Sequence, residues 1–208
     1  VLLIGSVAAF TRTERLKLAP APVAKPKFDR HFSPGCGCRH ATSRLSFLLR
    51  HADRIGVSVV DADGGQVVTL TQGRNVPAGR FSLEWNGRGE SGQVVPDGAY
   101  RLKVRLEHAR RTILIPKTIR VDTSPPEARV LSVQSGPGLD VAYSSNETAR
   151  ALLLLDGKVV LRGERRRPGK ARLQWPGPLP PGSHQVTLVL VDQAGNRSQR
   201  TQPVVVGG

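Results

Sequence analysis

The chain has 208 residues, with 31 Lys and Arg against 16 Asp and Glu, a formal charge of +15 and an isoelectric point near 11.2. That length holds two small domains and a tail, and 38% hydrophobic against 4% aromatic residues means thin cores built from Val, Leu and Ile. The charge raises a nucleic-acid role, but the basic residues are scattered along predicted strands, 24 of the 31 are arginine, and no aromatic-rich strand offers a base-stacking platform, which argues against it.

Val1–Phe10 is an uncharged apolar run. As a helix it would rise only ~15 Å, half a bilayer core, so it reads as part of a signal peptide or membrane anchor with the rest of the chain outside the cytoplasm. Residues 11–28 follow as a linker, since Pro20, Pro22 and Pro26 fix φ and remove donors, and an extended, semi-rigid spacer is expected there. Beyond it no 3.6-residue period appears. Short Val- and Leu-rich runs between Gly, Pro, Asp and Asn predict strands at 43–50, 54–61, 66–71, 80–85, 99–107 and 112–121. In Arg101–Glu107 the alternation sends Leu102, Val104 and Leu106 inward and the charged residues outward. Asp122-Thr-Ser-Pro-Pro126 should end pairing and form a stiff joint. Strands are then expected at 128–133, 139–143, 149–156, 158–161, 170–174, 184–191 and 201–206.

The two halves repeat one another. Gly79-Arg-Phe-Ser-Leu-Glu-Trp85 returns as Gly169-Lys-Ala-Arg-Leu-Gln-Trp175, and the segment from Pro96 through Gly98 to Leu106 returns from Pro180 through Gly182 to Leu190. Such a repeat means two copies of one β domain. The expected fold class is therefore all-β, with two tandem immunoglobulin-like β-sandwich domains, at 29–122 and 123–208. Trp85 and Trp175 should each fill one core, burying ~200 Å². Tyr100, just after Gly98, sits where a tyrosine corner bonds back to the backbone. His184 takes that place in the second copy, so the corner there is altered or absent.

Trp85-Asn-Gly87-Arg-Gly-Glu-Ser-Gly-Gln-Val-Val-Pro96-Asp-Gly98-Ala-Tyr100 resembles the Ig-like domain first named from the flagellar hook-capping protein, with Gly89 departing from its usual Asp or Asn. The likeness covers about residues 43 to 122. The second copy is similar to the broad class of bacterial extracellular Ig-like repeats. The resemblance implies a β-sandwich serving as spacer, scaffold or adhesive module outside the cytoplasm, and implies no flagellar role.

His31, Cys36, Cys38 and His40 form the one cluster of reactive side chains. In an oxidising compartment Cys36 and Cys38 would pair as a disulfide. A Cu(I) or Zn(II) site using all four residues remains the alternative, although Cys-x-Cys is tighter than the usual zinc knuckle. No hydrolase motif is present, and Asp61, Asp63 and Asp97 read as turn formers. Arg162, Arg165, Arg166, Arg167 and Lys170, expected on a loop of the second domain, are the candidate partner-binding residues. No cofactor is expected. The reading is a non-enzymatic, exported, membrane-tethered envelope protein that binds an anionic envelope polymer, a membrane surface or another protein. The alternatives are a metal-binding or redox protein and a carbohydrate-binding accessory module, the latter lacking a surface aromatic platform if both Trp residues lie inside.

Overall fold

The computed structural model describes residues 20–207. The apolar run Val1–Phe10 and the linker as far as residue 19 lie outside them. Among the described residues the regular elements are strands, and no helix is long and apolar enough to cross a membrane.

The first domain holds β1 (Val23–Phe28), β2 (His31–Phe32), β3 (Ser43–Leu49), β4 (Asp53–Val60), β5 (Gln66–Val76), β6 (Gly79–Trp85), β7 (Gly98–Leu106) and β8 (Arg111–Val121). They make a three-stranded sheet in the order β1-β3-β6 and a five-stranded sheet in the order β2-β8-β7-β4-β5. The second domain holds β9 (Ala128–Ser135), β10 (Leu139–Ser145), β11 (Ala149–Leu155), β12 (Lys158–Arg166), β13 (Gly169–Trp175), β14 (Gly182–Val191) and β15 (Arg197–Val206). Its sheets run β13-β10-β9 and β12-β11-β14-β15. Apart from β2, which has no counterpart, the second domain repeats the first strand for strand: β3 with β6 pairs Ser43 with Trp85, and β10 with β13 pairs Leu139 with Trp175. The sequence duplication is thus a structural one.

Each domain has its own core. In the first, Leu102, Val104 and Leu106 of β7 meet Ile55, Val57 and Val59 of β4 and Leu45, Phe47 and Leu49 of β3, all buried. In the second, Leu139, Val141 and Tyr143 face Ala151 and Leu153 and Val186, Leu188 and Leu190. Period-two alternation puts these residues inside because each sheet buries one face and wets the other.

Three features correct the sequence reading. The proline-rich linker ends earlier than expected, because Val23–Phe28 is a strand paired antiparallel with β3. Pro26 is tolerated since β1 is an edge strand, and a register shift between Ala24 and Lys27 with Lys25 at φ 46° absorbs the irregularity. The short β2 pairs parallel with β8. In the second domain β12 extends to Arg166, so the basic segment expected on a loop is largely strand.

Trp85 is 1% exposed, edge-on to Phe32 and Tyr100 with ring centroids 5.4 and 5.2 Å away. Its Nε1 donates to the Arg88 carbonyl at 3.0 Å, so the indole is buried without an orphan donor. Gly87 lets the chain turn there: its φ is +72°, and a Cβ would strike Pro34 and Phe32. Tyr100 Oη donates to the Pro96 carbonyl at 2.7 Å, and burial, with Asp61 and Asp97 adding, pushes the phenol up so that it remains a donor.

The second domain departs at both points. Trp175 packs against its core but is only half-buried, correcting the expectation that both indoles lie inside. The corner is rebuilt with imidazole: His184 Nε2 donates to the Pro180 carbonyl at 2.9 Å and Nδ1 lies 2.8 Å from Asp156 Oδ2. A carbonyl and a carboxylate both only accept. Using both nitrogens as donors therefore favours the imidazolium, and the hydrogen bond to Asp156, then that to Pro180, raises the His184 pKa. Asp156 is lowered first by the Gln185 N–H and then by His184.

Candidate functional site

The cysteine and histidine cluster lies at the contact between the domains. Cys36 and Cys38 form a disulfide with Cα atoms 5.2 Å apart. In that state neither sulfur is a thiolate, so the ligand set His31, Cys36, Cys38 and His40 lacks its two soft donors. The loop is closed by Ser33 N–H to the His40 carbonyl and Ala41 N–H to the Cys38 carbonyl. His31 sits apart on β2, its pKa lowered by burial and then by Arg120, with Arg165 and Arg30 acting the same way and Asp122 opposing. The loop bears on the β14–β15 turn. A Cβ on Gly195, whose φ is +95°, would lie 2.6 Å from Cys38 Sγ and 3.4 Å from His40 Cβ.

The joint between the domains is held from both sides. Asp97 accepts from Thr123 N–H at 2.9 Å, Thr123 Oγ1 at 2.8 Å and Ser124 Oγ at 3.0 Å. From the second domain, Asn196 Nδ2 donates to the Asp122 and Ser124 carbonyls at 2.8 and 3.2 Å. Asn196 is oriented by Asp192, which is 2% exposed and accepts from Gly195 N–H, Asn196 N–H and Asn196 Nδ2. Asp-Thr-Ser-Pro-Pro is therefore fixed by side chains as much as by its prolines.

Asp122, Glu147 and Asp192 meet at this joint with carboxylate oxygens within 4.8 Å of one another. They are the described residues that could hold a hard cation through oxygen. Burial, then Asp192 and Asp122, push Glu147 up to about 7, and burial also raises Asp122. Sequence reading missed this group because its members lie far apart along the chain. Asp61, by contrast, accepts from Asp63 N–H and Gly65 N–H and caps its own turn.

The five basic candidates are not brought to one place. On β12, Arg162 and Arg165 oppose Leu152 and Arg150 of β11, on the outer face of the four-stranded sheet. Arg166 opposes buried Ala149 and so lies on the inner side of that edge, where its charge acts on Tyr143. Arg167 follows the strand, and Lys170 opposes Ser144 on the outer face of the other sheet. All five are exposed. Arg150 and Arg197, which no local sequence signal marks, belong with Arg162 and Arg165: Val191 opposes Arg150 on one side and Arg197 on the other.

At the opposite end of the second domain a cleft of about 630 Å³ is lined by Gln134, Asp140, Gln174, Trp175 and Pro176 among others. Gly177 backbone covers part of the Trp175 indole, since a Cβ there would collide with the ring, so the indole is not an open stacking platform. Asp140 is occupied locally: Gln174 Nε2 donates to Oδ2 at 3.0 Å, and Arg172 Nε lies 2.8 Å from Oδ1 as a charge contact without hydrogen-bond alignment.

No curated protein matches the chain. Among solved structures, fibronectin(III)-like modules of CbhA from Clostridium thermocellum are 16% identical over 88% of this chain and 94% of that one, with a TM-score of 0.47. FlgD from P. aeruginosa is 22% identical over 61% and 88%, with a TM-score of 0.34, and the human OSCAR ligand-binding domain 12% identical over 89% and 100%, with 0.39. Residues 41–109 match the FlgD Ig-like domain; the match runs from β3 through β7, takes in Trp85, Gly87, Gly98 and Tyr100, and makes the first domain an Ig-like domain of the FlgD type.

Proposed function

We propose that this protein is a non-enzymatic binding module of the cell envelope, in which two joined Ig-like sandwiches hold a cationic surface toward an anionic envelope partner. The observation that carries the reading is the number of exposed basic side chains on the second domain, Arg162 and Arg165 on the outer face of one sheet, Arg166 and Arg167 at its edge and Lys170 on the other sheet, in a chain of net charge +15. Guanidinium and ammonium groups exchange counterions for the charges of a polyanion, which makes the contact favourable and salt-dependent. The disulfide between Cys36 and Cys38 suits an oxidising compartment and supports export. Tethering would come from Val1–Phe10.

The test is a pull-down of envelope material with the full chain at increasing salt. Reversing Arg165, Arg166, Arg167 and Lys170 to Glu should reduce recovery at least tenfold and flatten the salt dependence. Unchanged recovery would discard the cationic surface as the contact.

A further inference from the structure

The outer face of the sheet β12-β11-β14-β15 is organised in rows. One row reads Arg165, Arg150, Val191, Arg197 across the four strands, and the next reads Arg162, Leu152, Val189, Gln199. At ~4.8 Å between strands a row spans about 15 Å. Among the described residues the arginine–carboxylate pairs are Arg44–Glu84, Arg54–Glu107, Arg129–Glu127 and Arg172–Asp140, so none of these four arginines is neutralised. Glu164, in the bulge between Arg162 and Arg165, makes no such pair with either. Like charges directly across a ladder oppose pairing. Arg150 and Arg165 are therefore placed at a cost in the free protein that an anion would relieve.

We propose that this face docks a linear phosphodiester polymer of the envelope, laid across the strands with its phosphates on Arg165, Arg150, Arg197 and Arg162 and its polyol segments over Leu152 and Val189. The inference rests on the binding-module reading and names its partner. Three features select a flexible polyanion. Leu152 and Val189 are 9% and 8% exposed, sunk too deep to insert into a bilayer. A second copy of the chain would set arginine against arginine. None of the principal clefts of the described residues opens on this face, so it offers no deep seat for an anchoring side chain of an acidic protein. Toward the first domain the positive field continues, since Arg165, Arg120 and Arg30 all act on His31.

The experiment follows a fluorescent poly(glycerol phosphate) of about ten units binding the full chain by anisotropy, across salt. With four phosphates engaged, log K should fall against log salt with a slope of about −3. Arg150→Glu with Arg197→Glu should weaken binding at least tenfold and reduce that slope by about two, while Arg80→Glu, exposed on the three-stranded sheet of the first domain, leaves both nearly unchanged. An equal loss from Arg80→Glu would overturn the face in favour of net charge alone. Tighter binding of a single-stranded oligonucleotide of equal charge, or of phosphatidylglycerol vesicles that saturating polymer fails to displace, would overturn the partner. No polymer binding would overturn the inference outright. If the pull-down of envelope material survives Arg150→Glu/Arg197→Glu but fails on reversing Arg166, Arg167 and Lys170, this face is wrong while the binding-module reading stands.

Discussion

The two domains share strand order and register but differ in what they seal and what they leave open. The first closes its indole: Trp85 is buried between Phe32 and Tyr100, with its N–H bonded and its corner locked by a phenol. The second leaves Trp175 half-buried and locks its corner with a titratable imidazole. Their outer faces diverge in the same sense. In the first domain the rows that correspond, Leu106 standing for Leu190, carry Asn75, Arg54 and Glu107, then Gly56, Arg105 and Thr112, and there Arg54 is paired to Glu107 at 3.2 Å. In the second, four arginines without a carboxylate partner among the described residues flank aliphatic side chains. Duplication followed by such divergence gives one domain the conserving of shape and the other the carrying of charge.

If that contrast is right, the indoles are not equivalent. Trp85→Ala should cost ~3–5 kcal/mol, as for other large-to-small core changes, and unfold the first domain in urea well before the second. Trp175→Ala should cost about half as much, because less of its area leaves water. Equal costs by denaturant unfolding would erase the distinction. The corners sharpen it at smaller scale. Tyr100→Phe leaves the Pro96 carbonyl without its donor and should cost about 1–2 kcal/mol, with no dependence on pH near neutrality. His184→Gln should act only at pH values where the imidazolium is present. The stability from a raised histidine is complete below its ordinary value of 6.5 and is lost as pH rises through the higher folded value.

Between the domains, Gly195→Ala would force a residue at φ +95° and push against Cys38. The backbone effect alone should exceed about 1 kcal/mol. The more telling readout is orientation: residual dipolar couplings of the two domains should cease to fit one alignment frame. A single shared frame in the variant would show that the disulfide loop is not what seats the second domain.

Much of this was legible in the sequence for a physical reason. Alternation in Arg101–Glu107 and the repeat around Trp85 and Trp175 are local patterns, and local patterns fix strands and sandwich faces. Tyr100 was readable because its partner lies four residues away. What stayed hidden depends on pairing across strands. Arg150 and Arg197 are 47 residues apart in sequence and share a row only through Val191. Conversely, Arg165 and Arg166 are adjacent in sequence and point to opposite sides of one sheet. β1 was hidden because Pro26 reads as a breaker, and only its edge position makes it tolerable.

The most specific effect expected concerns the joint. Glu147 titrates at about 7 instead of 4.5 because it is buried beside Asp192 and Asp122. A raised carboxyl binds its proton more tightly in the folded state, so its contribution is complete below about 4.5 and is lost as pH rises through about 7. Thermal midpoints should therefore decline across that window, and Glu147→Gln, which keeps the neutral shape, should flatten the decline. His184→Gln should leave it intact and remove only the loss above 6.5. Two separable windows would assign one titration to the joint and the other to the second domain's own corner. A decline untouched by Glu147→Gln would mean that the carboxylates at the joint are already relieved by solvent or by a bound cation.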